Sequence, residues 1–152
     1  MSFVKRLFGG GSHVEAEPFD DPVLGRVVPA KDGDHWVVEA QSDSGGFRLE
    51  IAGNDQPSQA VLERAYEVHR DSARFKAKVA AFLKEQRRVF EDEDPGHGYR
   101  DEIAQLQIES VFLTDQGQPG DGMIWFDGPH ESSRCWRCDM SKGEPCDLGF
   151  DS

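Results

Sequence analysis

The chain predicts an α+β fold, an antiparallel sheet of about six or seven strands covered on one face by one or two helices. Three observations lead there. Short alternating runs occupy residues 24–51, a 3.6-residue apolar period occupies 57–90, and alternating runs return from 103 to the end. Strands, then helix, then strands is the order of an α+β sheet rather than of repeated βαβ winding.

The first strands form a three-strand meander. Leu24–Pro29 is extended, and Lys31-Asp32-Gly33-Asp34 carries a turn signal before His35–Gln41. Ser42–Gly46 turns again into Phe47–Ile51. Alternation puts Trp36, Val38 and Ala40 on one face with Phe47, Leu49 and Ile51, and leaves Arg48 and Glu50 on the other. Pro57-Ser58 then opens a helical stretch. Val61, Ala65, Val68, Ser72, Phe75, Val79, Phe82, Gln86 and Val89 recur at spacings of four and three, so one stripe persists throughout. Asp71-Ser72 has the character of an N-cap and marks the expected break, if the stretch is two helices rather than one. The sheet is the expected cover for this stripe, and pairing with a second copy through the helical segment is the alternative.

Glu91–Asp101 reads as an acidic loop broken by Pro95-Gly96 and Gly98. Ile103–Leu113 reads as a strand with Ala104, Leu106, Ile108 and Phe112 on one face, and Met123–Asp127 as another. The end is a hairpin. Trp136, Cys138 and Met140 share a face of its first strand, and Cys146, Leu148 and Phe150 one of its second, about a turn at 141–145. Residues 1–18 are expected to be a flexible N-terminal tail, and 19–152 a single domain. Within the tail, Phe3-Val4-Lys5-Arg6-Leu7-Phe8 is too short for a secretory or spanning segment. The three cysteines crowd toward the end and form no disulfide framework, which points to a reducing cytoplasm.

Charge is the most uneven property. The chain has 29 Asp and Glu against 17 Lys and Arg, net −12. Residues 1–56 are net −5, 57–90 net +4, and 91–152 net −11. A body of this sign repels phosphate backbones, which disfavours nucleic acid and favours a basic protein partner.

Four constellations invite a chemical reading. His130, Cys135, Cys138 and Cys146 include the two-residue gap of a zinc knuckle. On a strand, however, residues three apart point to opposite sides, so no metal is expected, and Cys138 and Cys146 read as small core side chains. Counted from Glu91, the acidic loop has Gly96 and Glu102 where a calcium loop wants glycine and glutamate, but Pro95 occupies a ligand position. Asp92, Glu93, Asp94 and Asp101 are instead expected to be exposed carboxylates able to engage a basic partner. Arg70, Arg74, Lys78 and Arg88 form a basic helix face, suited to phosphate or to an acidic partner. His13, His35, His69, His97 and His130 show no metal spacing, and no nucleophile or phosphate-loop motif occurs. No catalytic residue and no cofactor is therefore expected.

Phe19-Asp20-Asp21-Pro22-Val23-Leu24-Gly25 opening a meander, Trp36 on its second strand and Leu148-Gly149 in the closing hairpin resemble small bacterial α+β proteins of unknown function. Some relatives of those proteins resemble immunity proteins, acidic domains that cover a toxin's active surface. The net −11 of residues 91–152 and the missing catalytic motifs lead to the expectation of a non-enzymatic acidic protein-binding module, for which the resemblance offers an immunity-like inhibitor of a basic partner as one form; no catalytic residue comes with the resemblance. The alternatives are a metal- or thiol-dependent protein using the His130/Cys135/Cys138/Cys146 cluster, and a nucleic-acid adaptor using the basic helix.

Overall fold

A computed structural model of the chain describes residues 16–39, 46–53, 55–114 and 120–152. The Phe3–Phe8 segment, His13 and the Ala40 position lie outside the described residues. One eight-stranded sheet runs in sequence order: β1 (Phe19–Asp21), β2 (Gly25–Pro29), β3 (His35–Val38), β4 (Arg48–Ala52), β5 (Gln107–Leu113), β6 (Gly122–Asp127), β7 (Cys135–Ser141) and β8 (Glu144–Asp151). Between β4 and β5 come α1 (Gln59–Arg70), α2 (Ser72–Glu93) and α3 (Tyr99–Ile103). Neighbouring strands are antiparallel except β4 and β5, which pair in parallel, Leu49 opposite Val111 and Ile51 opposite Leu113.

The α+β class and the helical cover on one face are as the sequence predicts, with one strand more than expected. The added strand is β1, three residues whose partners run Phe19 to Val27 and Asp21 to Gly25. Asp21 stops it. Its Oδ1 accepts the Val23 and Leu24 N–H groups at 2.8 and 3.0 Å, while Oδ2 accepts the Tyr66 hydroxyl at 2.6 Å. Burial alone would raise this carboxyl, but the Tyr66 hydroxyl and those two amides hold it below its ordinary value. The parallel junction departs from a wholly antiparallel sheet, because a helical excursion returning on the same face re-enters in the direction it left.

The core lies between the helices and one sheet face. Val27, Trp36, Val38, Leu49, Ile51, Val111, Leu113, Ile124, Phe126, Trp136, Cys138 and Met140 are buried from the strands. Val61, Ala65 and Val68 of α1 and Phe75, Val79 and Leu83 of α2 meet them. The helix break falls at Asp71, as its N-cap character predicts. Asp71 closes α1, and its side chain accepts the Arg74 N–H at 3.1 Å to open α2. Beyond Val79 the buried stripe passes to Leu83, and Phe82, Gln86 and Val89 are only half-buried.

Four local readings are corrected. The acidic loop is shorter than Glu91–Asp101, because α2 continues to Glu93 and Tyr99 starts α3. The strand predicted from Ile103 begins at Gln107, with Ala104 exposed just past the end of α3. Bulges also shift two alternations. The β5–β6 register slips between Ile108 and Ser110, so Val111 and Leu113 are buried where Phe112 was expected inward. In β8, Asp147 takes a positive φ of 48°, and the register pairs Cys138 with Leu148 but Asp139 with Cys146. Cys146 therefore does not continue the face of Leu148 and Phe150.

Gly122 has no room for a side chain. A Cβ there would collide with the Phe112 carbonyl oxygen and crowd the Leu113 Cα at 3.1 Å, so β6 enters tightly against β5.

Candidate functional site, a charged groove at the helix break

A cavity of about 700 Å³ opens where α1 breaks into α2, above the β7–β8 turn. Its floor is core: Val68, Phe75, Leu113 and Met140, each no more than 6% exposed. Its walls are charged. Arg64, Arg74, Lys78 and Lys142 line it, with Glu67, Asp71 and Asp121 among them.

Most of these charges are already engaged. The Arg64 guanidinium donates to the Thr114 carbonyl and lies 3.7 Å from an Asp121 carboxylate oxygen. The other Asp121 oxygen accepts the Gly143 N–H at 2.7 Å, tying the start of β6 to the β7–β8 turn. Lys78 Nζ is 3.0 Å from Glu144, and Asp71 caps α2. The side chains of Arg74 and Lys142 hold no ion pair among the described residues. Lys142 sits at the tip of a two-residue hairpin in which both central residues have positive φ, 54° for Lys142 and 76° for Gly143. Glycine adopts that conformation freely, whereas lysine meets steric resistance from its Cβ.

The predicted basic helix face is therefore divided. Arg74 and Lys78 enter the groove. Arg70 lies over the Tyr66 ring, 5.5 Å from its centroid. Arg88 is held at the far end of α2 by Glu85 and, at 3.2 Å, by Asp92. Sequence spacing missed Arg64 and Lys142. Arg64 precedes the break that resets the helix phase, and Lys142 arrives from a turn 68 positions beyond Arg74. The Lys-Gly pair between two alternating runs was its one visible signal.

Of the predicted carboxylates, Asp92 and Glu93 lie on the last turn of α2, Asp94 just beyond it and Asp101 on α3, all exposed. Asp92 is paired with Arg88, and Arg100 stands nearby. Glu93, Asp94 and Asp101 have no ion-pair partner among the described residues.

The cysteine cluster does not assemble. Cys135 is exposed, Cys138 buried and Cys146 half-buried, and all three thiols are free. Burial, with Cys146 nearby, pushes the Cys138 thiol up to about 12. Among the described residues, the one group of three metal-capable side chains drawn within 4.8 Å is Asp32, Asp34 and His35. His35 Nδ1 is 2.5 Å from Asp34 and 3.4 Å from Asp32, and its Nε2 is 3.7 Å from Glu50. The hydrogen bond with His35 holds the Asp34 carboxyl below its ordinary value.

A second polar cluster fastens α3 to the sheet. Glu102 accepts hydrogen bonds from the Ser132 hydroxyl and the Arg134 guanidinium, and from Trp136 Nε1–H at 3.2 Å. Burial pushes the Glu102 carboxyl up, but these three donors outweigh it and hold it below the ordinary glutamate value. Arg134 also lies over the Tyr99 ring at 4.6 Å and the Phe150 ring at 5.4 Å, and Phe90 and Phe150 flank Trp136 at 5.4 and 4.8 Å.

No family model, no curated protein and no solved structure matches this chain. No described helix is long and apolar enough to cross a membrane.

Proposed function

We propose that the protein is a non-enzymatic binding module, and that the groove at the α1–α2 break is its recognition surface for an anionic ligand. One observation carries this: Arg74 and Lys142 face a single cavity with their charges unspent. Two cations without a direct ion pair, held on one scaffold, favour a small counter-charge that reaches both, although the Glu67 and Asp71 carboxylates stand on the same walls. Thermal unfolding at constant ionic strength is the test. With 20 mM phosphate and a dissociation constant of about 1 mM, linkage gives a stabilisation of about 2 kcal/mol, or roughly 4–8 °C. The Arg74→Gln/Lys142→Asn variant should lose that rise. An equal rise in the variant would remove the groove from the account.

A second reading is supported by the exposure of Glu93, Asp94 and Asp101, unpaired among the described residues at one end of the helical layer. With Asp92 they would engage a basic protein as an immunity-like inhibitor does. Its test is binding of poly-lysine in 0.15 M salt by the chain with these four carboxylates neutralised. Unchanged binding would end this reading.

A further inference from the structure

The helices cover one face of the sheet, and the centre of the other face is apolar. Strand register fixes which side chains share that face. Glu50 lies opposite Phe112, Phe112 opposite Met123, and Met123 opposite Asp139. In the adjoining row Arg48 lies opposite Ser110, Ser110 opposite Trp125, and Trp125 opposite Arg137. The Phe112 ring meets His35 at 5.9 Å, and none of Phe112, Met123 and Trp125 belongs to the core beneath the helices. All three are half-buried. A sheet face turned to water is ordinarily polar, so these three side by side call for a cover. We infer that the cover is a second copy of this chain, laid sheet against sheet about a two-fold axis that runs across the strands.

The charges beside the patch select both the occupant and the axis. On β4, Arg48 and Glu50 stand one row apart on this face, and on β7 Arg137 and Asp139 do the same. One row therefore holds the cations and the other the carboxylates. A two-fold axis across the strands exchanges the two rows between copies. Arg48 then meets Glu50 of the second copy, Arg137 meets its Asp139, and Trp125 lies over its Met123. An axis along the strands would stack Arg48 on Arg137 and Glu50 on Asp139, which repel. Within one chain Arg48 is 2.7 Å from Glu50 and Arg137 is 3.1 Å from Asp151, pairs that the second copy extends. Asp139 holds no ion pair among the described residues.

The remaining charges bound the contact. Arg26 on β2, Glu39 just past β3, Glu109 at the β5 bulge and Asp127 at the end of β6 are exposed and form a polar rim. The seven strands β2–β8, about 4.8 Å apart and about 20 Å long, project roughly 650 Å² per copy. The sum of about 1,300 Å² falls at the lower end of stable interfaces. Each copy carries −12, which opposes association at long range. At physiological salt that repulsion is screened beyond about 8 Å, so the apolar centre and its flanking pairs decide the outcome.

Sedimentation velocity of the full chain from about 5 to 500 µM in 0.15 M salt is the test, with hydroxyl-radical footprinting at both ends of that range. The expected result is a monomer–dimer equilibrium in which Met123 and Trp125 lose about threefold or more in reactivity as the dimer forms. Arg48→Glu should weaken the dimer about tenfold, because it sets acidic side chains against each other. Arg48→Glu/Glu50→Arg should restore it, because the exchanged rows still match. Trp125→Ser should abolish it, with the far-ultraviolet circular dichroism of the parent retained. A monomer at 500 µM with Met123 and Trp125 reactive overturns the inference. So does a monomer in which both are protected at every concentration, which assigns the cover to the same chain. A dimer that protects α1 or α2 instead moves the pairing to the helices, and a dimer strengthened by Arg48→Glu selects the other axis; either result overturns the arrangement.

Discussion

Replacing Glu102 tests how the helical layer is fastened to the sheet. The carboxylate is 13% exposed and accepts from Ser132, Arg134 and Trp136, three donors drawn from the segment that leads into β7 and from β7 itself. Glu102→Ala leaves these donors in unequal circumstances. The Ser132 hydroxyl is half-buried and Arg134 is 27% exposed, so both turn toward water at modest cost. Trp136 is 1% exposed and packed between Phe90 and Phe150, so its N–H has no easy route to solvent. An orphaned buried donor costs about 1–3 kcal/mol, and the partly exposed ion pair adds about 1 kcal/mol. The expected loss is about 2–4 kcal/mol, which lowers the unfolding midpoint of a chain this size by roughly 10 °C. Urea titration followed by tryptophan fluorescence measures it. A variant within 0.5 kcal/mol of the parent would refute the claim that this carboxylate clasps α3 to the sheet. The effect also has a pH signature. The Glu102 carboxyl lies below its unfolded value, so its contribution is present above the unfolded pKa and is lost as pH falls through the folded one. The stability gap between parent and Glu102→Gln should therefore narrow as pH is lowered from 6 to 3, and a constant gap contradicts the assignment.

Two further outcomes follow from packing. Under native iodoacetamide labelling read by peptide mass mapping, Cys135 should react first, Cys146 more slowly and Cys138 last, because Cys138 is fully buried and its thiol stands at about 12; labelling of Cys138 at the rate of Cys135 would contradict this. Gly122→Ala should cost about 1–3 kcal/mol by driving a methyl into the β5 backbone, and a midpoint in urea equal to the parent's would show that β6 has room to move.

Much of this architecture is legible from residue order alone, and the exceptions share a physical cause. The alternation of Trp36 and Val38 against Leu49 and Ile51 survives because those strands are regular, and Asp71-Ser72 shows the helix break because a cap is a local interaction. Bulges are invisible to a period of two, which is why strict alternation puts Phe112 and Cys146 on the wrong faces. β1 is too short to show a period, and it is fixed by a tyrosine 45 positions away. The groove illustrates the same limit. Arg74 and Lys78 stand out at helical spacing, whereas Lys142 joins them only once the sheet carries the last hairpin back beneath α2. Charge counting made the last third of the chain wholly acidic in character, yet one of its four cations is the residue that completes this site.

The most direct measurement is a crystal structure grown with tungstate, a tetrahedral dianion located by its anomalous signal. A peak within hydrogen-bonding reach of both the Arg74 guanidinium and the Lys142 ammonium is the predicted result. An unoccupied groove with tungstate bound instead among Lys84, Arg87, Arg88 and Arg100, the other basic cluster on the helical layer, would contradict the account.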